Sequence, residues 1–257
     1  MFKKRTVFLL GAGANVPYGF STGEGLLDKA RGIDPRGRMG NAGLKVTQAE
    51  SDAFRAALLD NMLPSIDALL EHRDDLWMVG KRLMAKLLFE EEARAGLVSG
   101  AGDWMALVFE KMTEDAPSIE KFAENPVTFI TFNYDRYREH RFVCALVARY
   151  MIEPRRAWSA MEGMKFLHLH GSLGKLGEQL KGGVAGEYPI PLGAPDRGGV
   201  YTLGVALDAV DNSIRIVHDD EIPKIFEEAH TSLRNAQQIL LLGFGFGKAA
   251  ACKTGRI

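Results

Sequence analysis

Apolar positions along this chain follow two rhythms. Short continuous runs rich in β-branched and aromatic residues read as buried strands. Longer stretches with apolar residues three and four apart read as amphipathic helices. The strand runs are 6–10, 127–132, 164–169, 214–217 and 239–242. Helical spacing dominates from about residue 48 to 115, where Phe54, Ala57 and Leu58, then Leu76, Val79, Leu83 and Leu87, recur on one face. It returns over 136–152, with Phe142, Leu146, Val147 and Tyr150 inward, and over 222–236, with Ile225, Phe226, Ala229 and Leu233 as a core stripe. Residues 31–48 and 174–213 are rich in Gly, Pro and polar side chains and read as loops, the second with short strands at most. This alternation predicts a single Rossmann-like α/β domain over residues 1–257. Its sheet is doubly wound and mainly parallel, with a helical insertion at about 48–125.

Three of the strand runs deliver glycine or polar residues at their carboxyl ends, where open parallel sheets bind ligands. The first run ends in Gly11-Ala12-Gly13-Ala14-Asn15, the second in Asn133-Tyr134-Asp135 and the third in His170-Gly171-Ser172. Gly11 and Gly13 permit a tight turn and a close backbone approach to a ligand. Val16 stands where the dinucleotide fingerprint has its third small residue, so this is not a standard Gly-x-Gly-x-x-Gly loop. Asn15, Ser21 and Thr22 offer groups for a phosphate or ribose; alternatively Ser21-Thr22 caps the helix starting near Glu24. Ser65-Ile66-Asp67 likewise reads either as a helix cap or as part of a site. Glu90–Glu92 and Arg94 read as a charged surface end, Arg36 and Arg38 as solvated loop charges, and Cys144 as a small buried residue.

Composition narrows the classes. At 257 residues, 46% hydrophobic and 25% charged, the chain has the make-up of a globular domain with an ample core. A net charge of −1 supplies no basic field, so direct nucleic-acid binding is not expected. Two distant cysteines, Cys144 and Cys252, give neither a zinc ribbon nor a disulfide framework, and no zinc is expected. Lys3-Lys4-Arg5 followed by an apolar run imitates a signal peptide, but the run is short and breaks at Gly11, so a cytoplasmic protein is expected. No run approaches a membrane span.

Gly11-Ala12-Gly13-Ala14, Thr131-Phe132-Asn133-Tyr134-Asp135 and Leu169-His170-Gly171-Ser172, in this order, resemble the sirtuin superfamily. The nearer resemblance is to the sirtuin-like NAD hydrolase domains of bacterial anti-phage defence proteins. Three further stretches carry it: Pro17-Tyr18-Gly19-Phe20, Ser65-Ile66-Asp67-Ala68-Leu69 and Gly243-Phe244-Gly245-Phe246. The resemblance implies cleavage of NAD to nicotinamide and ADP-ribose, with Asn133 and His170 as the catalytic pair. It places the NAD contacts on Gly11–Asn15, Phe20, Ser21, Thr22, Thr131, Phe132, Asp135, Gly171, Ser172, Gly243, Phe244 and Gly245. It also implies an activating protein or ligand and a homo-oligomer. Family members continue past this point with another helix or domain, whereas this chain stops at Ile257, so the adenine end of the pocket is expected to be incomplete.

Breaking the nicotinamide–ribose bond resembles glycoside cleavage through an oxocarbenium-like state. The leaving group departs from a cationic pyridinium and needs no acid. An amide such as Asn133 accepts from a ribose hydroxyl or holds a water, and a histidine such as His170 takes the proton. Asp135 would hold the loop or the nicotinamide amide. His168, two residues before the motif histidine, is read as structural or as a support behind the site residues. The four-cysteine module of sirtuin deacylases is missing, which points from acyl-lysine peptides toward hydrolysis by water. A deacylase or ADP-ribosyltransferase, and a non-catalytic nucleotide-binding domain, are the alternatives.

Overall fold

A computed structural model describes residues 1–33, 44–60, 62–95, 102–176, 192–193, 203–211, 213–215 and 224–245. Arg36, Arg38, Phe246 and Cys252 lie outside them. The core of the fold is a four-stranded sheet of β1 (Thr6–Leu10), β2 (Val127–Thr131), β3 (Lys165–His168) and β4 (Gln238–Leu242), in the order β3-β2-β1-β4. Every pairing is parallel; Phe8 lies opposite Phe129 and Leu240, and Thr131 opposite His168. With helices on both faces this is the Rossmann-like α/β fold expected from the alternation.

Strand periodicity sorts the side chains. Phe8, Leu10, Val127 and Phe129 face one side and pack with α5 (Trp104–Thr113), α6 (Ile119–Phe122), α7 (Tyr137–Tyr150) and α8 (Pro154–Met161). Phe8, Phe129 and Phe166 stack across three strands, with ring centroids 5.1 and 5.0 Å apart. Val7, Ile130 and Leu167 face the other side, against Ile225, Phe226 and Ala229 of α10 (Lys224–Arg234).

Between β1 and β2 run a 3₁₀ segment (Ala12–Tyr18), α1 (Gly23–Arg31), α2 (Gln48–Leu59), α3 (Ile66–Leu70), α4 (Trp77–Arg94), α5 and α6. Helices α1 to α4 enclose a second apolar core containing Leu27, Phe54, Leu70 and Met84. Caps define their starts: Thr22 accepts from Gly25 N–H, Thr47 and Glu50 form a capping box, and Ser65 accepts from Ala68 N–H.

Three expectations need correction, and a fourth is only partly covered by the described residues. The stretch 174–213 contains a helix, α9 (Leu203–Asp211), whose Ala206, Leu207 and Val210 are buried in the second core. Of the run 214–217 only 214 and 215 are described, and Ile214 makes an isolated antiparallel bridge to Gly171. Cys144 is exposed, because it falls on the outer side of α7, with Sγ 3.5 Å from His140 Nε2. The last strand is only partly covered: Ile239 and Leu241 are 49% and 54% exposed, since α10 packs over β3, β2 and β1.

Candidate active site at the strand ends

The order β3-β2-β1-β4 reverses at β1, so β1 and β4 flank the switch point where doubly wound folds bind ligands. The turns after these two strands meet there backbone to backbone. Gly11 N–H donates to Leu242 O and Gly13 N–H to Gly243 O, both at 2.9 Å. A Cβ on Gly11 or Gly13 would stand 2.7 or 2.8 Å from the Gly243 carbonyl oxygen. Gly243 itself has φ +72°, and a Cβ there would stand 1.8 Å from Ala14 N. These glycines are therefore accounted for by the contact between the two turns.

The second motif closes on the first. Asn15 Nδ2 donates to Asp135 Oδ2 at 2.6 Å, and Asn133 Nδ2 donates to Gly11 O at 3.3 Å. Asp135 Oδ1 accepts from Tyr137 N–H at 3.2 Å, so both carboxylate oxygens tie down the loop. Burial pushes the Asp135 carboxyl above its usual range, with Glu92 and Glu139 adding to the rise and Arg138 opposing it. Thr131 Oγ1 accepts from Asn133 N–H at 3.0 Å. Asn133 Oδ1 accepts no hydrogen bond among the described residues and is absent from the fully enclosed unpaired atoms.

His170 lies beside this loop. Its ring centroid is 5.6 Å from Phe132, 6.4 Å from Tyr134 and 6.3 Å from Phe226. Phe132 meets Phe244 edge-on at 5.8 Å, which joins the last turn to the group. His170 O accepts from Arg215 N–H, and Gly171 adopts φ +80° against Ser213. Gly11–Asn15, Phe132–Asp135, His170 and Gly243-Phe244 thus form one contiguous set of contacts. Gly245 follows it, with nothing within 4 Å of where its Cβ would be.

Other predicted contacts serve the scaffold. Phe20 is buried against Tyr137, and Thr22 caps α1. Ser21 is held by Glu91, through Oγ at 2.6 Å and N–H at 3.1 Å. Ser172 Oγ donates to Gly174 O at 3.4 Å. Asp67, on α3, accepts from Tyr134 Oη at 2.6 Å while Ser65 does the capping; burial and the Asp67 charge raise the Tyr134 hydroxyl well above its usual range.

The sequence pattern missed a buried charge cluster behind the loop. Glu91 and Glu92, read as surface residues, are each 2% exposed. Glu92 takes Arg136 N–H at 2.9 Å and Nη2 at 2.6 Å. Arg138 is fully buried, and among the described residues its Nε, Nη1 and Nη2 have no hydrogen-bond partner, nor do Glu139 Oε2 and Asn15 Oδ1. Such atoms are where buried water is found. His168 joins this cluster, with Nε2 2.6 Å from Glu139 Oε1 and Nδ1 2.8 Å from Asn133 O. The Arg-x-Arg-Glu run directly after Asp135 was the available signal. Nothing in strand or helix periodicity says that such a run folds inward.

A cavity of about 870 Å³ opens on the β3 edge, lined by Trp158, Met164, Phe166, His168, Ser172 and Arg215 among others. It adjoins the predicted residues Gly171 and Ser172, not Asn133. Among the described residues no group of three or more His, Cys, Asp or Glu is placed to hold a metal ion. No helix among them is long and apolar enough to cross a membrane. No protein-family model and no curated protein matches the chain.

Proposed function

We propose that this chain is an NAD glycohydrolase that cleaves NAD to nicotinamide and ADP-ribose, with Asn133 and His170 as its catalytic pair. One observation carries the reading: Asn133 is fixed through its Nδ2 on Gly11 O, which leaves Oδ1 uncommitted, while the adjacent Phe132 ring packs against His170. An amide oxygen so held accepts from a ribose hydroxyl or a water without reorganising, which favours the reacting geometry. The C–N bond to nicotinamide breaks with its electron pair going to the pyridine nitrogen. Water forms the new C–O bond, and its proton passes to His170. Phe132, Tyr134 and Phe226 give that histidine an apolar surround. The resemblance of the motifs extends the proposal to a cytoplasmic, NAD-depleting effector of anti-phage defence, held silent until an activating partner or oligomer forms.

The test is turnover by purified variants. Asn133→Ala and His170→Ala should each lower NAD cleavage by ~100- to 10,000-fold while far-UV circular dichroism is unchanged. Two folded variants with wild-type rates would remove these residues from the chemistry.

A further inference from the structure

We propose that His168 is a positioning residue that holds the Asn133 backbone so that the Asn133 side chain presents Oδ1; the inference deepens the NAD reading and rests on it. Asn133 is gripped at three points. Its N–H goes to Thr131 Oγ1 at 3.0 Å, its Nδ2 to Gly11 O at 3.3 Å, and its carbonyl oxygen meets His168 Nδ1 at 2.8 Å. The third grip reaches it from the β3 edge of the sheet.

Strand geometry makes this possible. β3 ends at His168, and the chain turns at Leu169 and His170. The two histidines therefore do not share a face. His168 reaches toward α7, where it meets Glu139, while His170 packs toward Phe226 of α10.

The hydrogen-bond inventory fixes what His168 does. The oxygen facing Nδ1 is a backbone carbonyl, which only accepts. The atom facing Nε2 is a carboxylate oxygen of Glu139. Burial opposes ionisation of that carboxyl, but His168 and Arg138 outweigh it and bring it down to about 2, so it too only accepts. Nδ1 therefore carries a proton in this arrangement and is the donor that holds Asn133, while Nε2 faces the Glu139 carboxyl. Glu139 sits in the first turn of α7, where a carboxylate is favoured. The pair is the outer support of the reacting loop.

Two substitutions separate positioning from simple packing. The amide nitrogen of asparagine lies near the place of Nδ1, and that of glutamine near the place of Nε2. His168→Asn keeps a donor for the Asn133 carbonyl and gives up Glu139; His168→Gln does the reverse. Positioning predicts that kcat for NAD is at least ten times higher in His168→Asn than in His168→Gln, with KM little changed, because misplacing a reacting group costs on the order of 10- to 100-fold. Equal kcat values, or the opposite order, overturn the proposal. Nitrogen-15 NMR of the wild-type protein gives a readout that needs no turnover: Nδ1 of His168 should be proton-bearing. A bare Nδ1 overturns the proposal whatever the activity. A protonated Nδ1 in a protein that does not cleave NAD supports the clamp and counts against the NAD reading.

Discussion

Glu92 and Arg136 are almost fully enclosed, and each depends on the other to be there. A buried ion pair of this kind adds little net stability, but removing one partner strands the other charge and typically costs ~3–5 kcal/mol. Glu92→Ala should therefore lower the unfolding free energy by that amount, read as a shift in urea midpoint; a loss under ~1 kcal/mol would mean that Arg136 finds water instead. Glu139 gives the pH dependence a sign. Its folded carboxyl lies at about 2 against an ordinary 4.5, so its contribution is present above 4.5 and lost as pH falls toward 2. Asp135 is shifted upward, so its contribution has the opposite sense, present at low pH and lost as pH rises through its folded value. The Glu139→Gln variant should show a flatter acid limb than wild type in urea midpoints measured across that window, and an unchanged limb would contradict the lowered Glu139 carboxyl and its contact with His168. None of these pairings was legible in the sequence. Glu92 and Arg136 are 44 residues apart, and a charged run at a helix end reads as solvent-facing unless its buried partner is known.

At the scale of elements, the strands and their polar ends were readable because apolar runs bounded by glycine and Asn have few other uses. Helix α9 was not. Its residues sit in a Gly- and Pro-rich stretch, and a short helix of this kind is set by tertiary packing more than by propensity. Its packing surface is Ala206, Leu207 and Val210, with Arg82 of α4 reaching Asp211 at 2.6 Å and Asp208 at 3.3 Å. The glycine turns were legible as turns, but not that they pack on each other, with the Gly243 carbonyl in the space that a side chain on Gly11 or Gly13 would fill. This predicts an order of damage. Gly243→Ala combines a left-handed φ with a 1.8 Å clash against backbone, while Gly11→Ala, with no left-handed φ, brings its Cβ to 2.7 Å from the Gly243 carbonyl oxygen and 3.1 Å from the Phe244 ring. Gly243→Ala should lower the thermal midpoint more, and the reverse order would mean that the two turns do not pack as described.

Across the whole molecule, topology explains why residues from distant parts of the chain meet. Parallel strands present their carboxyl ends at one side, so Gly11, Asn133, His170 and Gly243 are neighbours although they span most of the sequence. The sequence carried this much, because each motif follows a strand. It did not carry the support, in which α3 reaches Tyr134 through Asp67 and α4 reaches Arg136 through Glu92. The helices between β1 and β2 therefore brace the loop after β2 from behind. Asp67→Ala should leave the Tyr134 hydroxyl without its acceptor and cost ~1–3 kcal/mol in urea unfolding. A change below ~0.5 kcal/mol would show that this tie between helix and loop is not made.

The central claim is that the site formed by Asn133 and His170 hydrolyses NAD. Proton NMR of the purified protein mixed with NAD tests it most directly, because substrate and both products are resolved in one sample. The account predicts that nicotinamide and ADP-ribose appear in equal amounts as NAD disappears, and that neither appears with Asn133→Ala. NAD that persists with the wild-type protein, or nicotinamide released equally fast by the Asn133→Ala variant, would contradict it.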